Sequence, residues 1–218
     1  MMIFKCTSLI LLLLLLFMVL SGCQSHTELS QLAIITGIGL DAAEGGGYRL
    51  TVELAHQQTS NEPGEGVTYT VEGDGLEALE AALRLRLDKE PNWSNAVSLV
   101  LGAALAEQGA DALLTEMYRD FRFNPGILLI LSGSSAEAAL NAKFGEGEYV
   151  AQGLAEALNR QALLTESKAL TLADYLQQRL SGQGAVALPL LMHEAEKLVL
   201  AGSVLVGQAE LPALYAYE

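Results

Sequence analysis

The amino-acid sequence opens with an uninterrupted run of twelve apolar residues, 9–20, which follows one positive charge at Lys5. A helix of twelve residues is only about 18 Å long. Because the apolar core of a bilayer is about 30 Å thick and takes about twenty residues to cross, the run is too short for a comfortable membrane span. A short apolar run after a basic residue is typical of a secretory signal peptide. We therefore predict that residues 1–22 are removed on export and that residues 23–218 form the mature protein.

The residues that end this segment predict how it is processed. Leu20, Ser21 and Gly22 precede Cys23 in the order of the bacterial lipobox, where small residues stand before an invariant cysteine. The signal peptidase must fit Ser21 and Gly22 in a narrow cleft, and the exposed thiol of Cys23 takes a diacylglyceryl group as a thioether. An ordinary signal peptide with a chance cysteine is the alternative. The pattern favours a palmitate-bearing lipoprotein with Cys23 as the lipidation site and residues 23–30 as a lipidated tether.

Net charge limits what the mature chain can bind directly. Without Lys5 it carries 11 basic and 26 acidic residues, a net charge of −15. This balance argues against nucleic acid, whose phosphates require clusters of Lys and Arg. It also argues against adhesion of the protein surface to anionic lipid heads. The lipid on Cys23 must therefore provide the anchoring, at about 0.8 kcal/mol per buried methylene. Cys6 leaves with the signal peptide, so no disulfide is expected and the fold must rely on its core.

Two β-rich segments after the tether predict a β-hairpin. Residues 48–56 alternate apolar and polar side chains, with Tyr48, Leu50, Val52 and Leu54 on one face and Glu53 among those on the other. Residues 32–40 form the partner strand. The intervening residues 41–47 are turn material, with three consecutive glycines.

Apolar periodicity predicts intermixed strands and helices in the rest of the chain. Further strands are expected at residues 67–71, 96–101, 127–131, 186–192 and 197–206. The strand at residues 127–131 is continuously apolar and is expected to be central in the sheet. Residues 197–206 are expected to form one strand, or a tight pair bent at Gly202. Helices are expected at residues 75–87, 103–121 with a break at Gly109, 134–142, 148–161 and 171–181. Ser134-x-x-Glu137 and Thr171-x-x-Asp174 resemble capping boxes. The pattern indicates an α+β fold: a mixed β-sheet that opens with a β-hairpin and is covered by helices.

Motifs that imitate reactive sites are better explained by the fold. Gly37-x-Gly39-x-x-Ala42 resembles a dinucleotide fingerprint, but a strand follows it where the fingerprint requires a helix. The hairpin is favoured, with the glycines permitting close packing or a bulge. The sequence SGSS at residues 132–135 lacks the spacing of a nucleophile elbow and is more typical of a turn and an N-cap.

The remaining candidate residues predict no metal ion, cofactor or catalytic group. None of the histidines has the spacing of a metal site; they are His26, His56 and His193. Two acidic pairs could chelate a hard cation but are more often solvated faces or helix starts; they are Glu146 with Glu148, and Glu194 with Glu196. Trp93, the single tryptophan, is predicted to pack in the core or at a sheet end, with a partner contact as the alternative.

The order of these segments resembles the Ger(x)C family, the lipoprotein C subunits of spore nutrient-germinant receptors. LAIITGIGLD at residues 32–41 and YRLTVEL at residues 48–54 are similar to the family's opening strands, "LAIVTGIGID" and "YxLTVQ". Residues 73–83, 101–109, 119–120 and 127–140 resemble later family segments in the same order. The chain departs from the family at Gln24-Ser25, where Trp-Asp is usual, and at Asn95 and Ala103, where a histidine and a glutamate are common.

The resemblance implies a non-enzymatic subunit on the outer face of the spore inner membrane. It would act with a germinant receptor A subunit and a transporter-like B subunit, held near them by the diacylglyceryl group on Cys23, so that a weak interface suffices. Residues 31–192 are expected to form a Ger(x)C-like N-terminal α+β domain. Family members continue into a substantial C-terminal module, so residues 193–218 are expected to be the start of a truncated second domain.

Two other functions are compatible with an exported lipoprotein. The first is a small-molecule-binding lipoprotein that feeds a transporter, which requires a deep pocket with convergent polar groups. The sequence offers few aromatic residues to line one. The second is an envelope hydrolase, which is disfavoured because no nucleophile and base are suitably spaced.

Overall fold

A computed structural model describes residues 31–55, 66–120, 122–145, 149–165, 168–182, 184–194 and 197–207. From Ala33 onward these residues belong to one compact unit. The predicted signal peptide, Cys23 and the tether lie outside the described residues.

The central element is a mixed sheet. Its strands are β1 (Leu32–Ala42), β2 (Tyr48–Leu54), β3 (Val67–Gly73), β4 (Glu90–Asn92), β5 (Ser98–Gly102), β6 (Leu128–Ser132), β7 (Val186–Glu194) and β8 (Lys197–Val206). The order across the sheet is β3-β2-β1-β5-β6-β7-β8, and the short β4 pairs with β1. Strands β1, β5, β6 and β7 run parallel, whereas β2, β3 and β8 extend the sheet by antiparallel pairing.

The predicted hairpin is confirmed. Strands β1 and β2 pair antiparallel from Ala42 opposite Tyr48 to Ile35 opposite Leu54, with a bulge between Ile35 and Gly37. A side chain at Gly37 would place its Cβ 2.5 Å from the Cβ of Ala151. The glycine is therefore required by the close approach of a helix, as well as lying at a bulge.

Helices cover both faces of the sheet. They are α1 (Leu76–Arg86), α2 (Ala103–Gln108), α3 (Asp111–Arg119), α4 (Ala136–Leu140), α5 (Val150–Leu164) and α6 (Leu172–Leu180). The larger apolar cluster joins one sheet face to α1, α2, α3 and α6, and the smaller one joins the other face to α4 and α5. Strand β6 contributes alternate residues to both clusters, with Leu129 in the larger and Ile130 in the smaller. A strand covered on both faces needs a continuous apolar run, so the predicted central strand is confirmed. The α+β fold class is confirmed with it.

The two predicted capping boxes had different outcomes. At α6 both bonds are present: Asp174 N–H donates to Thr171 Oγ1 at 3.1 Å, and Thr171 N–H donates to Asp174 Oδ2 at 3.2 Å. The box at Ser134 is wrong. Ser135 is the N-cap and accepts from Ala138 N–H at 3.0 Å, so the helix begins one residue later than predicted.

Several smaller features complete the comparison with the sequence. The predicted break at Gly109 separates α2 from α3, with φ at 98°. Residues 197–206 form one strand rather than a tight pair, and Gly202 has φ at 122° within it. Strand β4 was not predicted. The proposed domain boundary after residue 192 falls inside β7, and β8 pairs with β7 in the same sheet; that boundary stays a prediction.

Candidate functional site

Two buried carboxylates attach helices to the hairpin. Asp41, near the end of β1, accepts hydrogen bonds from the N–H groups of Ala136 at 2.8 Å and Glu137 at 2.9 Å. These are among the first N–H groups of α4, which have no partner within the helix. The carboxylate therefore satisfies the helix start in addition to the Ser135 cap, and its negative charge complements the positive end of the helix dipole.

Glu53 of β2 plays the same part for α5. Its carboxylate accepts from Val150 N–H at 2.7 Å, Ala151 N–H at 3.1 Å and the Thr36 hydroxyl at 2.9 Å. The N-cap residue of α5, Tyr149, makes no side-chain cap hydrogen bond. Burial raises the pKa of Glu53, and the three donors oppose that rise without cancelling it. The glutamate thus serves as the missing cap at the cost of burying a carboxylate.

A third cluster of charges lies at an open groove between α1 and α3. The guanidinium of Arg122 donates through Nη2 to Glu80 at 2.7 Å and 2.8 Å, and also bonds the Asp120 carboxylate. Hydrogen bonds from Arg122 lower the pKa of Asp120, and both acids raise the pKa of Arg122. Glu80 is buried, so Arg122 provides the opposite charge that its burial requires. The pair fixes the segment after α3 against α1.

The rim of this groove is polar and exposed. Glu77, Glu116 and Arg119 line it together with Leu76 and the Arg122 cluster. Such a shape suits contact with a protein surface better than enclosure of a small molecule, which needs a cavity that covers most of its ligand. The groove is therefore the candidate contact site.

The described residues favour structural roles for the polar groups buried within them. No buried side-chain nitrogen or oxygen among them lacks a hydrogen-bond partner. Within the same part of the chain, no three His, Cys, Asp or Glu side chains are grouped to hold a metal ion. Trp93 packs in the core as predicted, 4.9 Å from the Phe123 ring centroid. Ser134 and His193 approach each other at 3.3 Å on the surface.

Most residues singled out from the sequence for processing or chelation belong to segments other than those that the structure describes. The lipobox residues Leu20, Ser21, Gly22 and Cys23 lie outside the described residues, as do His26, His56, Glu146, Glu148 and Glu196. Glu194 is exposed at the end of β7. Sequence reasoning missed Asp41, Glu53 and Arg122. The glycines at 37 and 39 were the available signal, since they indicated that another element packs closely on the hairpin.

Comparison with known proteins identifies the family. A family model described as the spore germination protein N-terminal domain matches residues 25–192, more than three quarters of the chain. The chain belongs to this family. The predicted family resemblance is therefore confirmed for the N-terminal domain.

The similarity of this chain to a solved structure is more distant than its match to the family model. The crystal structure of the GerBC protein aligns with 15% identity and a TM-score of 0.40, covering 83% of this chain and 51% of that one. The chain thus spans about half the length of the solved protein that it matches. No curated protein matches it. Within the described residues, no helix has both the length and the apolar character needed to cross a bilayer.

Proposed function

We propose that this spore germination chain is the lipid-anchored C subunit of a nutrient-germinant receptor. It acts without catalysis on the outer face of the spore inner membrane, by contact with an A subunit and a transporter-like B subunit. The observation that carries the proposal is the family match over residues 25–192. The lipobox before Cys23 supports the anchoring, since it offers a route to the membrane that requires no spanning helix.

Anchoring explains how a modest interface can suffice. A lipidated domain is confined to a thin layer next to its membrane partners, which raises its effective concentration. The groove between α1 and α3 is the proposed contact surface because its charged rim is exposed and its floor is fixed by the Arg122 cluster. Exposed charges of this kind favour specificity and association rate.

The anchoring is tested by immunoprecipitation from spore inner membranes. We compare the wild type with Cys23→Ala, and with Cys6→Ala as a matched control, because Cys6 lies in the predicted signal peptide. The wild type and the Cys6→Ala variant should remain in the membrane and recover both partner subunits. The Cys23→Ala variant should leave the membrane fraction and recover neither. If the wild type stays in the membrane but brings down no multi-spanning protein, the receptor-subunit assignment is wrong and only the lipoprotein prediction survives.

The contact surface is tested by reversing one charge. Glu116→Lys on the groove rim should reduce recovery of the partners while membrane retention stays unchanged. Glu156→Lys is the matched control, since Glu156 is an exposed helical glutamate on the opposite face of the sheet. Equal recovery with both variants would exclude the groove as the contact surface.

A thermal-shift screen with amino acids and sugars tests the alternative of a small-molecule-binding lipoprotein, because a ligand of the native state raises the melting temperature.

A further inference from the structure

One edge of the sheet is the starting point of four parallel strands. Strands β1, β5, β6 and β7 are parallel neighbours, so all four begin at the same end of the sheet. We term this end, which lies across the strands and is not an outermost strand, the strand-start edge. Val97 lies there, because its N–H bonds the carbonyl of Thr36 just before β5 begins. Val67 lies there too, since it starts β3 opposite Leu54, which pairs with Ile35 in the first half of β1.

Helix α1 ends at this edge. It starts after β3 at the opposite edge and packs back along that strand. Near its end, Arg84 forms an ion pair with Glu90 of β4 at 2.8 Å. Strand β4 pairs with β1, whose second half is already occupied by β2 and β5. Strand β4 and the end of α1, including Leu85, therefore lie beside the first half of β1.

Helix α6 lies along the same edge. Its first residue, Leu172, donates its N–H to the Ile127 carbonyl just before β6 begins. Near its end, Arg179 bonds the carbonyl of Gly184, two residues before β7 begins. Leu180 is therefore held at the strand-start edge.

Helix α5 crosses the opposite face of the sheet near this edge. Its start is fixed by Ser98, the first residue of β5, whose hydroxyl donates to the Ala151 carbonyl at 2.7 Å. Its end at Leu164 is followed by Leu170, whose carbonyl accepts from Leu129 N–H at the start of β6. The start of α5 is thus tied to the beginning of β5, and the chain returns to the beginning of β6 at Leu170.

The strand-start edge carries half of the exposed large apolar side chains of the described residues. Leu85 and Leu180 there are exposed by 90% and 87%, and Leu163 and Leu164 at the end of α5 are exposed by 82% and 80%. Val67 and Val97 are also exposed there, and Tyr118 and Met192 are the remaining two of the eight. Single exposed apolar residues need no explanation, but their concentration at one edge marks an interaction surface.

Charge is unevenly distributed between the two edges. Basic residues accompany the leucines: Arg84, Arg86, Lys168 and Arg179 at the strand-start edge, and Arg160 near the end of α5. Three of these are in ion pairs, whereas Arg86 and Arg160 are exposed and form none with a described residue. Two acids, Asp88 and Glu90, are also exposed there, and Glu90 is the partner of Arg84. The opposite edge is acidic around the β1–β2 turn, where one cation, Arg49, accompanies Glu44, Glu72, Asp74 and Glu77. Two exposed lysines, Lys143 and Lys197, also lie at the opposite edge, where β7 ends and β8 begins.

We propose that the strand-start edge rests on the lipid bilayer. This rests on the proposed lipidation of Cys23. Gln31, which precedes β1, comes eight positions after Cys23, and a chain of that length spans at most about 28 Å. The anchor therefore confines this edge close to the membrane surface. At the membrane surface, exposed leucines can contact the acyl chains while neighbouring arginines bind the anionic head groups. The acidic opposite edge is repelled by the same head groups. The net charge of the whole chain conceals this asymmetry.

The test uses the mature lipoprotein reconstituted into phosphatidylglycerol–phosphatidylcholine vesicles. Once Cys23 is lipidated and Cys6 is removed, an introduced cysteine is the only free thiol. We place it at Leu85 or Leu180 on the strand-start edge, and at Glu44 in the β1–β2 turn as the matched control. Each variant is labelled with an environment-sensitive fluorophore and quenched with nitroxide-labelled phospholipid. All three positions are exposed, so the substitutions should leave the unfolding temperature unchanged.

The labels at Leu85 and Leu180 should be quenched several-fold more strongly than the label at Glu44. Replacing phosphatidylglycerol with phosphatidylcholine should reduce the difference, because Arg86 and Arg160 then lose their counter-charges. Equal quenching at both edges would overturn the proposal. The proposal would also be overturned if the labels at Leu85 and Leu180 became shielded from a water-soluble quencher only after the partner subunits were added. The surface would then be a protein interface. Flotation of each variant with the vesicles reports lipid anchoring separately, so a failure of the proposed anchoring is distinguishable from a failure of orientation.

Discussion

Replacing Glu53 by alanine tests whether this buried carboxylate holds α5 on the hairpin. Glu53 is 2% exposed and accepts three hydrogen bonds. Alanine leaves the N–H groups of Val150 and Ala151 without an acceptor at the buried start of the helix. Each buried donor left unsatisfied costs about 1–3 kcal/mol. The variant also recovers the cost of burying a charge, which is the cause of the raised pKa of Glu53. We therefore expect a net loss of about 2–4 kcal/mol in the free energy of unfolding.

Trp93 provides the assay. It is the only tryptophan, it is buried, and its ring packs against Phe123. Its fluorescence should follow urea unfolding of the core. With a urea dependence of about 2 kcal/mol per molar, the expected loss lowers the midpoint by about 1–2 M. Glu156→Ala, at an exposed position on the same helix, is the control and should shift stability by less than about 0.5 kcal/mol. Equal midpoints for the two variants would refute the capping role.

The pKa of Glu53 adds a pH dependence of known sign. Because the folded-state pKa is raised above 4.5, the folded protein binds this proton more tightly than the unfolded chain does. The contribution of Glu53 to stability is therefore complete at pH values below 4.5 and declines as pH rises through the folded-state pKa. The free energy of unfolding of the wild type, minus that of the Glu53→Gln variant in which residue 53 does not titrate, should therefore be greatest in acid. An advantage that instead grows with pH would show that the three donors outweigh burial.

Two further predictions concern local packing and capping. Gly37→Ala should lower stability by about 1–3 kcal/mol, because the new Cβ would meet that of Ala151 at 2.5 Å. Gly75→Ala, whose Cβ would meet nothing within 4 Å, is the control; it changes the N-cap of α1 but adds no steric contact, so it should cost less than Gly37→Ala when urea midpoints are compared. Asp174→Ala should lower stability at neutral pH by about 1 kcal/mol through loss of the capping box. Hydrogen bonds from Thr171 and then Lys168 lower the Asp174 pKa below 3.8, so this difference should vanish as pH falls through the folded-state pKa. Urea unfolding at a series of pH values measures it, and a difference independent of pH would contradict the assignment.

Local patterns predicted most of the elements of this fold. The alternation of residues 48–54 and the glycine-rich turn before them specify the hairpin, since both signals lie within a few residues of each other. The break at Gly109 and the capping box at Thr171 are likewise local. The five consecutive apolar residues at 127–131, four of which lie in β6, also reveal the burial of this strand, because such a run is typical of a strand covered on both faces.

The pairings that organise the site could not be predicted because they are distant in sequence. Asp41 is separated by 95 residues from the N–H that it binds at Ala136, and Glu53 by 97 from that of Val150. On an alternating strand Glu53 belongs to the polar face, yet it is buried because α5 crosses that face. The cap at Ser134 failed for a related reason. Ser135 and Ser134 are equally good N-cap residues, and the hydrogen bonds that the N–H groups of residues 136 and 137 donate to Asp41 favour a helix that begins after Ser135.

The same tertiary contacts relate the two proposals to each other. Helix α1 runs from the acidic edge toward the strand-start edge, so its axis points toward the bilayer if that edge rests on lipid. The groove is lined by the first half of α1, so it then lies toward the end of that helix that is away from the bilayer. An orientation fixed by lipid and leucines removes rotational freedom before the subunits meet, which lowers the entropic cost of docking. The charged rim of the groove would then need to supply only specificity. Exposed charges suit that role, because each contributes little to the free energy of binding.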